Sequence, residues 1–136
     1  MNIRQLQDSD YETLISWWEQ WPEWQAPAKD FLPDNGTGGL IVEAKDGTPI
    51  VAGFLYMTNS KAVLLEWIIS NPEYREADRD AAITALIIGC ENLVASVGKK
   101  YMFTIGRNKH LIKKHKDLGW HVDEKPSYEI IKKLKN

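Results

Sequence analysis

Apolar residues recur along this chain with two periods, and the switches between them set an order of elements. Asn2 to Leu6 alternates polar and apolar and runs into Asp8, Ser9 and Asp10, side chains that favour helix starts, so a short strand feeding a helix is expected. Tyr11, Leu14, Ile15 and Trp18 return at helical spacing, giving a helix over residues 10–18 that stops before Pro22. Residues 17–27 hold four of the six tryptophans among two prolines, more aromatic surface than a linker needs. Asp34-Asn35-Gly36-Thr37-Gly38-Gly39 is a turn-forming run able to adopt positive φ. Strand-like runs follow at residues 40–44, 49–57 and 63–69, split by Asp46-Gly47 and by the weaker signal Asn59-Ser60, which predicts an antiparallel meander. Residues 78–97 keep Ala82, Ile83, Leu86, Ile87, Cys90, Leu93, Val94 and Val97 at helical spacing up to Gly98, the longest predicted helix. Residues 101–105 read as a strand, 111–118 as a basic helix stopped by Gly119, 120–122 as a short strand and 127–134 as a final alternating strand.

A strand, a long helix and a second strand between Leu64 and Ile105 make a crossover, which places those two strands parallel. The expected fold is therefore α/β: one domain over residues 1–136, with a central mixed β-sheet of about six to seven strands and helices on both faces. A length of 136 residues suits one core, and 43% hydrophobic with 26% charged residues excludes a disordered chain. The net charge of −2 provides no general basic field, which speaks against nucleic acid as a partner. Cys90 is the only cysteine, so neither an intrachain disulfide nor a thiolate zinc site can form, and a reducing, cytoplasmic setting is expected. The polar first ten residues and the lack of a long apolar window predict neither secretion nor membrane insertion. No metal is expected, since His, Cys, Asp and Glu nowhere fall at ligand spacing. No serine-nucleophile motif or Walker loop appears, and a strand follows Gly36-Thr37-Gly38-Gly39 where a dinucleotide fingerprint needs a helix.

Three segments carry more specific chemistry. Asn108 opens a run in which Gly119 and Trp120 stand eleven and twelve residues on; Leu65 to Arg75 couples a strand to an Asn71-Pro72-Glu73-Tyr74-Arg75 turn; Arg75-Glu76-Ala77-Asp78-Arg79-Asp80 leads into the long helix. With the element order, these segments resemble the GNAT family of acyl-CoA-dependent N-acetyltransferases over nearly the whole chain. The resemblance implies transfer of acetyl from acetyl-CoA to an amine by direct attack. It implies that backbone amides at Ile68, Ile69 and Ser70 pair with the pantetheine arm, that Asn108 and the arginines Arg75 and Arg79 serve the cofactor, and that Glu66 is the base, acting through water. An ammonium has no lone pair, so a base is needed. His115 stands where the family usually keeps a tyrosine that protonates the departing thiolate; a histidine can donate a proton near neutral pH. As a structural alternative, Glu66 is a cross-strand ion-pair partner and His115 an ordinary residue of a Lys-rich helix.

The cofactor loop departs from the family pattern, because Asp78 and Asp80 occupy positions where relatives keep glycine or alanine to bring bare amides to the pyrophosphate. Asp78 is also a good N-cap and Asp80 complements the helix dipole, so the helix could satisfy its own donors. On the acceptor side the resemblance implies contacts from Trp21, Trp24, Phe31 and Asn35, where aromatic faces would attract a small-molecule or peptide amine; the alternative is that the tryptophans close the core, as expected for Trp17 and Trp18. Two other functions stay open. One is a binding module that kept the fold and lost the cofactor; the other is acyl-CoA-dependent modification of a nucleotide or nucleic acid, supported only by the basic stretch at Lys109 to Lys116. A homodimer also stays open.

Overall fold

A computed structural model describes residues 1–135, which fall into two compact units, Met1–Thr104 and the residues from Ile105 onward. In the first unit the alternating runs form β1 (Asn2–Gln5), β2 (Gly39–Glu43), β3 (Pro49–Met57), β4 (Ala62–Ser70) and β5 (Tyr101–Phe103). The two helical stripes form α1 (Asp10–Glu19) and α2 (Arg79–Ser96). The strands lie in the order β1-β2-β3-β4-β5. Neighbours are antiparallel up to β4, and β5 returns parallel to β4 after α2, as the crossover pattern requires.

Side chains alternate across the sheet, so each helix covers one face. Leu14, Trp17 and Trp18 of α1 join Ile41, Ala52, Phe54 and Ile69 in one buried cluster. On the other face α2 buries Ala82, Leu86, Ile87, Cys90 and Val94, and a Cβ added at Gly53 would touch both Leu86 and Leu65. Each large apolar side chain so enclosed contributes about 1.5–3 kcal/mol. Cys90 is fully buried in this layer, where desolvation pushes its thiol up to about 12 and leaves it a packing residue. Arg4 fastens β1 to α1 and β2: its guanidinium donates to both carboxylate oxygens of Asp10, at 2.8 and 2.9 Å, and to Glu43 at 3.1 Å.

Two short 3-10 turns, Lys29–Phe31 and Pro33–Gly36, precede β2, and the second covers the start of the turn-forming run. Left-handed backbone falls at Asp34, Asn35 and Gly36. Gly39 serves a different need, close approach, because a Cβ there would overlap the carbonyl oxygen of Gly53 across the β2–β3 ladder.

Among the described residues the sheet has five strands, against the six to seven expected. Among the described residues, neither 120–122 nor 127–134 is a strand. The second of these has the right alternation, but a strand also needs a hydrogen-bonded neighbour. Tyr128 and Ile130 are instead 92% and 91% exposed. The second unit contains α3 (Lys109–Asp117). Asn108 caps it by accepting from the Leu111 amide at 3.0 Å, and Gly119, with φ 94°, follows its end.

Candidate active site

The most informative feature of the first unit is an irregularity in β4. Phe54 pairs with Glu66 and Ala52 pairs with Ile69, so Gly53 stands opposite two residues, Trp67 and Ile68. One residue is extra, and Trp67 carries the kink, with a left-handed φ of 57° that is costly for any side chain with a Cβ. The bulge resets the faces: Leu65 and Ile68 both lie against Gly53 on the α2 side, while Glu66 and Ile69 sit across from Phe54 and Ala52 on the α1 side. The parallel ladder with β5 covers only Ala62 to Leu64 against Tyr101 to Phe103, and β4 runs on to Ser70 beyond it. A bulge next to the end of a ladder leaves backbone amides that an extended ligand can pair with.

The end of β4 leads into a turn built on Asn71, whose side chain donates to the Pro49 carbonyl and accepts from the Glu73 amide, both at 3.0 Å. Arg79, the first residue of α2, folds back so that Nη2 donates to Ser70 Oγ at 2.8 Å. Burial, and then the charge of Arg75, lower its pKa, so two guanidinium groups lie within electrostatic reach of each other at the start of the helix. The expected cap is not made. Asp78 gives no side-chain hydrogen bond to the amides of α2; its carboxylate instead accepts from the Tyr74 hydroxyl at 2.6 Å, which pushes that phenol up to about 12. Tyrosine outcompetes the backbone for Asp78, so the N-terminal donors of α2 are not covered by this side chain.

On the α1 side of the bulge the aromatic residues form a connected wall. Trp67 meets Trp18 and Phe31 edge to face, with centroids at 6.1 and 5.8 Å. Its indole N–H donates to the Tyr56 hydroxyl at 3.0 Å, and that hydroxyl donates to the Phe31 carbonyl at 2.9 Å. Burial raises the pKa of Tyr56, the Trp67 hydrogen bond opposes the rise, and the nearby Glu66 charge adds to it. Of the predicted acceptor residues, Phe31 belongs to this wall, Trp21 packs half-buried against the core cluster, and Trp24 and Asn35 are exposed. Trp17 and Trp18 are core residues, as expected. Trp67 and Tyr56 were not singled out by sequence, because a run from Val63 to Ile69 that is apolar apart from Glu66 hides which residue is the extra one.

Two further residues singled out by sequence, Asn108 and His115, lie in the second unit. Asn108 uses its side-chain oxygen to cap α3. His115 is only 4% exposed; its Nδ1 lies 2.8 Å from the Leu111 carbonyl and its ring meets Trp120 edge to face with centroids at 4.8 Å. A carbonyl can only accept, so Nδ1 carries a proton. Among the described residues no group hydrogen-bonds to the buried Nε2. Most buried polar atoms in folded proteins have a partner, so this nitrogen stands out.

Among the described residues there is no cluster of three or more potential metal-ligating side chains, and no helix is long and apolar enough to cross a membrane. No protein-family model matches the chain, and no curated protein matches it. Solved structures do. TTHA1254 from Thermus thermophilus has 16% identity and a TM-score of 0.65, with 100% of this chain and 99% of that chain covered. AAC(6')-Iy in complex with the bisubstrate analogue CoA-S-monomethyl-acetylneamine has 21% identity and a TM-score of 0.63, over 96% of this chain and 97% of that chain. The ribosomal-protein-S18-alanine N-acetyltransferase from Escherichia coli has 15% identity and a TM-score of 0.66, over 87% and 76%. At such identities the likeness speaks to architecture, and the architecture is clear: the chain has the GNAT acetyltransferase fold.

Proposed function

We propose that this protein transfers an acetyl group from acetyl-CoA to an amine in the cytoplasm. The observation that carries the reading is the bulge at Trp67 and Ile68, at a point where β4 has run past its ladder with β5. When bound, acetyl-CoA supplies an acetyl group activated as a thioester. The chain's own groups fit it. Within Ile68, Ile69 and Ser70, the amides that point away from β3 would pair with the pantetheine arm, and a bulge amide would polarise the thioester carbonyl. Arg75 and Arg79 hold the phosphates at the start of α2, where the helix dipole also favours an anion. Asn108, which the resemblance assigns to the cofactor, fixes the start of α3 in the second unit.

Glu66 takes a proton from the acceptor ammonium through water, leaving the lone pair that attacks. His115, in the second unit, is the proton donor that the resemblance implies; because Nδ1 is committed to the Leu111 carbonyl, a ring that gives a proton from Nε2 is an imidazolium. Trp24, Phe31 and Asn35 meet the acceptor, a small-molecule or peptide amine, and Trp21 backs them.

A second reading, a binding module without cofactor, is favoured by Asp78 and Asp80 at the head of α2. Titration calorimetry with acetyl-CoA and with coenzyme A, at low and moderate salt, separates the two. A salt-sensitive, micromolar-range heat is expected. No binding at millimolar ligand would overturn the transferase and leave the module, and an unchanged turnover in Glu66→Gln would remove Glu66 as base.

A further inference from the structure

Trp67 holds a backbone conformation that its own side chain opposes, since a Cβ at φ 57° is strained, and such strain persists only where the surroundings over-determine it. Three contacts hold this indole: the edge-to-face meetings with Trp18 and Phe31, and the hydrogen bond from its N–H to the Tyr56 hydroxyl at 3.0 Å. Ring contacts tolerate sliding, whereas the hydrogen bond is aimed at one atom. That atom is itself fixed. The Tyr56 oxygen accepts from Trp67 and has one proton to give, which goes to the Phe31 carbonyl at 2.9 Å. Phe31 lies in a turn closed by its own amide on the Ala28 carbonyl and by the Leu32 amide on the Lys29 carbonyl, at 3.0 and 3.2 Å. Burial raises the pKa of Tyr56, so the phenol keeps this proton through the neutral range. A line of two hydrogen bonds thus runs from a closed turn, through β3, to the residue whose dihedrals orient the peptide groups of the bulge.

We infer that Tyr56 is a positioning residue for the proposed transfer: by holding the Trp67 indole it keeps a bulge amide aimed at the thioester carbonyl, and by its bond to Phe31 it ties that amide to the Lys29–Phe31 turn. The inference rests on the transferase reading. Tyr56 meets no reacting atom in this role and acts through Trp67. Without the phenol oxygen the indole N–H has no partner in the wall, so it turns toward water and loosens the bulge. An amide displaced by about 1 Å no longer makes a good hydrogen bond to the carbonyl, whereas the pantetheine arm, paired further along β4, is held as before.

The test compares acetyl-CoA with S-ethyl-coenzyme A, a thioether of nearly the same size that lacks the carbonyl oxygen, by calorimetric titration of the full chain. The wild type should bind acetyl-CoA about fivefold more tightly, the worth of one hydrogen bond. Tyr56→Phe and Trp67→Phe each remove the same bond and keep a ring in place. Each should cancel that lead with the affinity for S-ethyl-coenzyme A unchanged, and the double variant should lose nothing further. A wild type with no lead, a lead that survives in either variant, or a variant that loses both ligands equally overturns the inference while the transferase reading stands. Amide hydrogen exchange without ligand is read separately: Tyr56→Phe should speed exchange at residues 67–69 by about fivefold or more, with the amides of β1 and β2 unchanged. Unchanged exchange overturns the inference whatever binds. A chain that binds neither coenzyme refutes the transferase, and faster exchange then leaves Tyr56 only its hold on the bulge.

Discussion

Replacing Trp67 by alanine and by glycine gives a stability order opposite to that of an ordinary strand. Either change removes two edge-to-face contacts, worth about 0.5–1.5 kcal/mol each, and the hydrogen bond to Tyr56, worth about 1 kcal/mol. Alanine should therefore destabilise by about 3 kcal/mol, which accords with large-to-small changes at half-buried aromatic sites. Glycine loses the same contacts and adds flexibility to the unfolded chain, which normally makes it worse than alanine by about 0.5–1 kcal/mol. At Trp67, however, φ is 57°, where a Cβ costs about 1–2 kcal/mol that glycine avoids. The second effect is the larger, so Trp67→Gly should be more stable than Trp67→Ala by roughly 1 kcal/mol. With a urea dependence of about 2 kcal/mol per molar, the glycine variant should unfold at a midpoint about 0.5 M higher. Leu64, on the regular part of β4, is the control: there Leu64→Ala should exceed Leu64→Gly in stability. If alanine equals or exceeds glycine at position 67, the left-handed bulge assigned to that residue is wrong, and the amide geometry built on it falls.

Asp10→Asn should cost about 2 kcal/mol at neutral pH by breaking the two-pronged contact with Arg4, seen by chemical denaturation. Arg4 depresses the folded pKa of Asp10, so the stabilisation is held above the unfolded value of about 3.9 and lost as pH falls through the lower folded value; the gap between wild type and variant should close below about pH 4. Asp78→Asn should tighten coenzyme A binding about tenfold at moderate salt, since a carboxylate roughly 6 Å from a phosphate costs about 3 kcal/mol at an effective dielectric of 20 before screening; weaker binding in calorimetry would reverse the role given to this side chain. Arg79→Gln should weaken the same binding and flatten its salt dependence, while an unchanged titration would place the phosphates elsewhere. Gly39→Ala should lower the melting temperature by more than about 10 °C, because the added Cβ meets backbone and not a side chain that could move.

Much of the first unit was legible because its signals are local. Asp46-Gly47 closes the β2–β3 hairpin with Gly47 at φ 90°, Gly98 follows α2 at φ 83°, and helical spacing marked the buried stripe of α2. Asn108 could be read as important, but not that its side chain would be occupied as a cap. The bulge was hidden, since Leu64 to Ile69 is apolar on both faces apart from Glu66, and an extra residue leaves no break in such a run. The Tyr74 to Asp78 contact was missed for a related reason: propensity assigns aspartate to the cap, and only the turn geometry brings a phenol to compete. Residues 127–134 had the opposite problem, a pattern suited to a strand with no neighbour to pair it.

The registers on either side of the β4 bulge have a consequence for how this protein could change. Phe54 with Glu66 and Ala52 with Ile69 are the pairings a straight ladder would have if Trp67 were absent, and Ile68 already faces α2 as that ladder would require. A single-codon deletion thus separates the strand from a regular one, with every neighbouring side chain already on the face it would keep. The irregularity is dispensable to the sheet, so a lineage with no use for the freed amides has a short mutational route to discard them, and a deletion variant lacking residue 67 should fold while losing whatever those amides hold.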